Sequence, residues 1–595
     1  MTPVVFGGCF GWHHPAAGNR GVVLCAPHGY EELCIHRQWG HLAQRLADAG
    51  LPTLRFDYRG TGDSVGHDEE PQRLRAWLDS IHDAVRWMRE QIGVTEVALV
   101  GLRVGGALAA LAAKELGDVD MLALLVPTIS GRAYTREMKA LAAFSPMPDN
   151  APLPPSPDDI EAGGFVLSAE TVEALKRVDL RQLDGLPAPR VLFMPSNDGP
   201  VEKALAKTLR DAGADLQVAP FDGFEEFICE VHYGQRTPEA AFTTLTTWLT
   251  TGAPAAVMAS EPRQTARLEM PEAFETPFFF GDEARLFGIC CEPRPEVADR
   301  TAPAVIFVNT GHHHHIGANR MAVTMGRRLA ARGITSMRLD IAGLGDSQAW
   351  QGRPENKLYD KAACADIRAA MDCLEAQGHR ECVLIGLCSG AYLSFYTALQ
   401  DTRVISQVMI NLQRFIWREG DSLAVATRTN STRMRDLGGE FAGALRKTEA
   451  LRRLLKGGRK EWTTAWAILR RTVELTRSEI GKATYALFGV EGEVPRAFRL
   501  LSQLGTDTLL VYCVDDPGLA ELEMHSLRLE GTRLLGQKRV AAEMIDGADH
   551  TLTRRWARDR LAEIIETHVA TRRRPTARPS TDKKSASSWK PAQAA

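Results

Sequence analysis

Two kinds of apolar pattern alternate along this chain. Short unbroken runs bounded by turn residues, GVVLCAP (21–27), EVALVG (96–101), CVLIG (382–386) and TLLVYCV (508–514), read as strands buried on both faces. Between them, apolar residues recur at helical spacing over about 38–50, stopping at Gly50, over about 71–92, over GGALAALAAKEL (105–116) and over AYLSFYTAL (391–399). Strands alternating with helices predict an α/β fold with a mostly parallel, doubly wound sheet. Two hairpin-like stretches, PVVFGGCFGWHHP (3–15) and ETPFFFGDEARLFGICCEP (275–293), predict antiparallel strands at a sheet edge.

The pattern occurs twice. RFDYRGTGDS (55–64) returns as RLDIAGLGDS (338–347) at an offset of 283, which also carries Arg37 onto Arg320. VALVGLRVGGALAAL (97–111) matches CVLIGLCSGAYLSFY (382–396) at 285. Asp198 pairs with Asp516 and His232 with His550 at 318, so the second copy carries a longer insertion. The expected organisation is a first copy at 1–252, an Ala/Pro/Ser-rich linker at 253–269, a second copy at 270–570, and a disordered basic tail at 571–595.

Composition narrows the class. The 595 residues are 44% hydrophobic and 24% charged with a net charge of −3, which excludes a disordered chain and an electrostatic nucleic-acid binder. No apolar run reaches membrane-spanning length and no secretory leader is visible, so a cytoplasmic protein without membrane contact is expected. Eleven scattered cysteines without metal-like spacing fit reduced thiols.

The chemistry gathers where strand meets helix. In Gly386-Leu387-Cys388-Ser389-Gly390 the glycines relieve a tight turn, and Cys388 is presented at a helix N-terminus, which favours an anion and lowers a thiol pKa. Ser389 is one residue out of register for the nucleophile. The equivalent turn of the first copy, Gly101-Leu102-Arg103-Val104-Gly105, places Arg103 there, and a guanidinium is no nucleophile. That site is degenerate, with Arg103 either structural or holding an anion. Asp57, Asp63, Asp340 and Asp346 read as turn-stabilising acids.

On these turns, elbows and acid and histidine positions, both copies resemble the α/β-hydrolase superfamily. The likeness is to serine-aminopeptidase-like hydrolases, including those associated with exosortase and exopolysaccharide gene clusters. The resemblance implies two tandem α/β-hydrolase domains, each with a helical lid insertion. It implies a Cys–His–Asp triad in the second: Cys388, where the family usually has serine, His550 as base, and Asp516 as acid, with Asp515 the alternative. Asp198 and His232 take the corresponding places in the first. One oxyanion donor is the N–H of Ser389. The other falls in VNTGHHHHIGANR (308–320), where His312 and His313 read as oxyanion or substrate-rim residues, as a plain polar loop, or as metal ligands. No metal is assigned and no cofactor is expected.

The second-copy lid (about 412–505) carries an excess of basic residues: counting 411–500 gives 18 Lys/Arg against 10 Asp/Glu. It reads as a solvated helix face, a guide for an anionic acyl donor or acceptor, or a membrane-surface contact. The expected activity is hydrolysis of a small-molecule ester or thioester, free or carrier-bound. The alternatives are an acyltransferase of surface-polysaccharide or lipid metabolism and a non-catalytic binding or scaffold protein.

Overall fold

The computed structural model describes residues 1–143, 156–229, 234–254, 266–418, 421, 492–525, 527–534 and 536–572. Most of the expected lid, the middle of the linker, the tail from 573 and His232 lie outside these residues.

The main strands are β1 (Thr2–Phe6), β2 (Cys9–His14), β3 (Arg20–Cys25), β4 (Thr53–Phe56), β5 (Glu96–Leu102), β6 (Met121–Leu125), β7 (Arg190–Met194), β8 (Asp215–Val218), β9 (Ala273–Phe280), β10 (Leu286–Pro293), β11 (Ala304–Val308), β12 (Ser336–Asp340), β13 (Cys382–Leu387), β14 (Val404–Ile410), β15 (Asp507–Cys513) and β16 (Val540–Ile545). Two compact units are formed. The first comprises Met1–Asp299, His312–Asn356 and Leu552–Arg558; the second comprises the described residues of Arg300–Gly311, Lys357–Thr551 and 559 onward. The first repeat lies wholly in the first unit, whereas the second repeat is divided between both.

In the first unit one sheet runs β1-β2-β4-β3-β5-β6-β7-β8. The β1–β2 and β2–β4 pairs are antiparallel and the other pairs parallel. Alternate residues of β3 feed two cores, as a pleated strand requires. Val23 and Cys25 join Trp77, Ile81 and Leu108 from helices Arg73–Trp87 and Val104–Leu116. Val22 and Leu24 join Ile35, Trp39 and Leu42 from helix Tyr30–Asp48, and Phe242 from Glu239–Thr250. The first unit also holds the antiparallel set β9-β10-β12. The second unit carries β11-β13-β14-β15-β16, all parallel. These two sets follow the order of β1-β2-β4 and β3-β5-β6-β7-β8. Both expected hairpins form.

Within the first unit the contacts between the two repeated segments are reciprocal. Arg338 pairs with Asp63 at 2.7 Å, and Arg55, its counterpart at the offset of 283, pairs with Asp346, the counterpart of Asp63. Arg320 donates to the carbonyls of Gly62 and Ser64, each at 2.6 Å; its counterpart Arg37 donates to those of Gly345 (2.8 Å) and Ser347 (3.2 Å). The hairpins join through an apolar cluster of Phe10 and Trp12 with Phe287 and Ile289. Buried Glu275 completes the ionic set, pairing with Arg327 (2.8 Å) and Arg338 (2.9 Å).

The turn acids therefore divide. Asp57 and Asp340 hold their own turns, accepting from the amides of Asp63 and Asp346 at 2.9 Å each. Asp63 and Asp346 reach instead to the other repeat, because the tight turn leaves their carboxylates facing a buried arginine. The reading of all four as purely turn-stabilising is corrected accordingly.

Two histidines are locked into this network. His315 lies between Asp63 (2.7 Å) and Asp340 (2.8 Å), and His36 between Glu32 (2.8 Å) and Asp346 (3.2 Å). Burial alone would favour neutral rings. The flanking carboxylates prevail, raising His315 well above its ordinary value and His36 to about 10. Both folded values lie above the unfolded value, so their contribution is complete below about pH 6.5 and is lost as pH rises toward 10. The urea midpoint of the first unit is expected to fall between pH 6.5 and 10, by on the order of 3 kcal/mol in stability. A flat profile over that window would show that the rings are neutral.

Candidate active site

Strand β13 ends in a turn whose central residue is strained. Cys388 has φ 55° and ψ −112°, and helix Ser389–Ala398 starts at the next residue. The turn is closed by glycine: a Cβ on Gly390 would stand 2.6 Å from the Asn309 carbonyl oxygen, and one on Gly386 2.2 Å from the Gly390 backbone. Local sequence thus dictates the elbow, and the helix start aims the Ser389 N–H at the Cys388 sulfur.

Strands β15 and β16 bring the other groups. His550 follows β16, and its Nδ1 lies 2.6 Å from Asp516 Oδ2. Asp516 is buried, and its second oxygen accepts from the Gly518 amide at 2.7 Å. Asp515 is exposed. Burial would raise the Cys388 thiol, but the His550 charge, with hydrogen bonds from His550, Tyr359 and the Ser389 amide, holds it below its ordinary value. Burial would likewise lower His550, yet Cys388 and Asp516 raise it to about 10. The arrangement favours a thiolate–imidazolium pair oriented by a carboxylate, equipped for nucleophilic attack and proton return.

Three contributors were not visible in the sequence. Tyr359 places its hydroxyl 3.3 Å from Cys388 Sγ. Asn411, at the end of β14, donates to the His550 carbonyl (2.7 Å) and accepts from the Cys513 amide (2.8 Å), fixing the histidine loop. Gln413 Nε2 lies 3.4 Å from His550 Nδ1. The polar residues directly after the apolar run VISQVMI were the available signal for the last two; the loop bearing Tyr359 offers none. The Ser389 hydroxyl accepts from the Gly311 amide at 2.9 Å, tying the loop after β11 to the elbow.

Of the histidine run, His312 and His313 are half-buried and belong to the first unit, whereas Cys388, Ser389, Asp516 and His550 belong to the second. His314 is buried, stacked on His36 with ring centroids 3.6 Å apart, and His315 is the ionic bridge described above. Half of the run is therefore interior structure, because the carboxylates of two turns converge on it.

The first repeat has a similar elbow with arginine at its centre. Arg103 takes φ 54° and ψ −123°, close to Cys388. Its guanidinium is occupied by Glu31 (2.8 Å) and Glu137 (2.6 Å), so the anion at this elbow is internal. Asp198 is exposed beside Lys203 at 3.0 Å, unlike the buried Asp516. Arg103→Met leaves Glu31 and Glu137 facing each other, and is expected to destabilise the first unit by about 1–3 kcal/mol at pH 8. The loss should shrink as pH falls, because Glu31, already raised by burial, takes up a proton more readily than an ordinary carboxylate. Equal denaturation midpoints for variant and wild type at pH 8 would contradict this.

Residues 18–152 match the family model of serine aminopeptidase, S33. The chain is 32% identical over 123 residues to human (Homo sapiens) Protein ABHD12B, an alignment covering 20% of this chain and 32% of that protein. The chain thus spans about a third of the length of the curated relative it matches. Among solved structures it is similar to Est1E from Butyrivibrio proteoclasticus (17% identity, TM-score 0.30, 42% of this chain and 97% of that one) in a complex with ferulic acid. It is also similar to proline iminopeptidase from Mycobacterium smegmatis (14%, TM-score 0.30, 50% and 98%). The architecture is α/β, and the family match falls wholly within the first repeat. Among the described residues no helix is long and apolar enough to cross a membrane.

Proposed function

We propose that this chain is an acyl hydrolase of small-molecule esters or thioesters, with Cys388 as nucleophile, His550 as general base and acid, and Asp516 as the group that orients it. The carrying observation is the buried thiol at a strained elbow, its pKa held down against burial by an imidazole that is itself bonded to a buried carboxylate. In this reading the sulfur attacks the acyl carbon, His550 gives its proton to the leaving oxygen or sulfur, and water then releases the acid. Oxyanion stabilisation falls to the Ser389 N–H and the loop that Gly311 anchors.

We further infer a tandem duplication whose first copy is a pseudoenzyme. The matching strand orders, the reciprocal contacts at one offset and the similar dihedrals of Arg103 and Cys388 support it. Arg103 leaves that copy without a nucleophile, and what the copy supplies is its side of the buried ionic network. A carrier-bound donor, the lid, transferase chemistry and a cytoplasmic location remain expectations of the sequence.

The test is intact-protein mass after incubation with a series of short acyl thioesters, wild type beside Cys388→Ala. A gain of one acyl group that is absent from the variant is expected. Equal acylation of both proteins would overturn the assignment of Cys388.

A further inference from the structure

We propose, resting on Cys388 as the nucleophile, that Tyr359 is a catalytic residue of the same site, a fixed hydrogen-bond donor to the sulfur whenever the sulfur carries negative charge. The hydroxyl lies 3.3 Å from Cys388 Sγ, and both residues are buried. Nothing in the loop QGRPENKLYD requires a tyrosine for its turns. Tyr359 nevertheless adopts φ 55°, a left-handed conformation that is strained for a bulky residue. The strain is held by packing: the ring stacks on Trp417 (4.2 Å between centroids, 7° between planes) and meets Tyr392 edge-on at 5.1 Å. With two ring neighbours in place the hydroxyl cannot swing off the sulfur without breaking both contacts.

The charges around it suit a donor. His550, backed by Asp516, acts on the sulfur; Arg414 and Glu521, 3.6 Å apart, act on the tyrosine. Burial first, and then the negative sulfur, push the phenol well above its ordinary value, so Tyr359 keeps its proton through the cycle. In the first half-reaction the thiolate bonds to the acyl carbon, the carbonyl pair moves to oxygen, and its return expels the leaving group, which takes the proton of His550. In the second, water attacks the thioester, gives a proton to His550, and collapse breaks the carbon–sulfur bond to regenerate the thiolate. Tyr359 transfers nothing. It stabilises the sulfur before the first bond forms and as the last one breaks, so its effect belongs in the thiol pKa and in kcat.

Tyr359→Phe keeps the ring and its stacking. Two readouts apply: the rate of Cys388 alkylation by iodoacetamide against pH, with Cys388→Ala assigning the labelled thiol, and kcat and KM on a short acyl ester. The thiol pKa is expected to rise by about one unit and kcat to fall about tenfold, with KM little changed. An unmoved thiol pKa, or a change confined to KM, makes Tyr359 a wall of the site and overturns the donor role. Should the phenylalanine variant not fold, replacing tyrosine by the more acidic 3-fluorotyrosine throughout must lower the thiol pKa; no downward shift overturns it equally. Turnover that survives Cys388→Ala removes the nucleophile reading and the catalytic role of Tyr359 with it. Turnover that needs Cys388 but ignores Tyr359→Phe removes the tyrosine alone.

Discussion

Cys388→Ala is expected to cut acyl turnover by at least ~10³-fold, leaving only what binding and oxyanion donors supply. His550→Ala should cost about as much, because an unpaired thiol buried at this elbow returns to a high pKa; its histidine partner is what holds it down. Asp516→Asn should cost less, since it removes orientation of the imidazole and leaves both reacting groups. The double variant Cys388→Ala/His550→Ala should be no slower than either single, because the groups act as one unit. Steady-state rates on one ester across the four proteins read this directly. Multiplicative losses would mean that Cys388 and His550 act in separate processes.

Asp63→Asn should be the most damaging substitution outside the site. The carboxylate faces Arg338 and His315, all three nearly inaccessible to water. Burial would raise it, and its two partners hold it well below the usual carboxylate range. Removing that charge leaves Arg338 with Glu275 alone and His315 with Asp340 alone, a partly stranded pair of buried cations and a loss of roughly 3–5 kcal/mol. The first unit should melt markedly earlier in calorimetry, while the acyl-adduct assay on protein kept below the transition should still succeed. Arg338→Met made on top of Asp63→Asn should recover part of the loss, because one stranded charge goes with it. A loss below about 1 kcal/mol would mean that water reaches the pair.

What could be read from the sequence was what local chemistry determines. Strands such as GVVLCAP and CVLIG announce themselves by unbroken apolar runs, and the elbows by glycines two residues either side of Arg103 and Cys388. Asp516 and His550 were expected from the family resemblance, which places the acid and the base after strands. The reciprocal network was not legible: Arg37, Arg55, Arg320 and Arg338 look like ordinary surface charges until their partners, nearly 300 residues away, are known. Tyr359 was missed for the same reason, since its meaning lies in the neighbour it meets. His315 went unread, because a run of four histidines in a loop gives no hint that two turn acids enclose one ring.

Reciprocal contacts of this kind, on two separate chains, would define a homodimer that dilution pulls apart. Here both sides of the contact belong to one covalent chain, so each meets the other at an effective concentration fixed by the tether and not by the amount of protein present. Specific activity should then be the same at nanomolar and micromolar enzyme. Neither repeat is free to leave either, since a solitary second repeat would carry Arg320 without its carbonyl acceptors and Arg338 without Asp63. In the reading proposed above, tethering also removes the need for two working centres, since the partner is permanently attached.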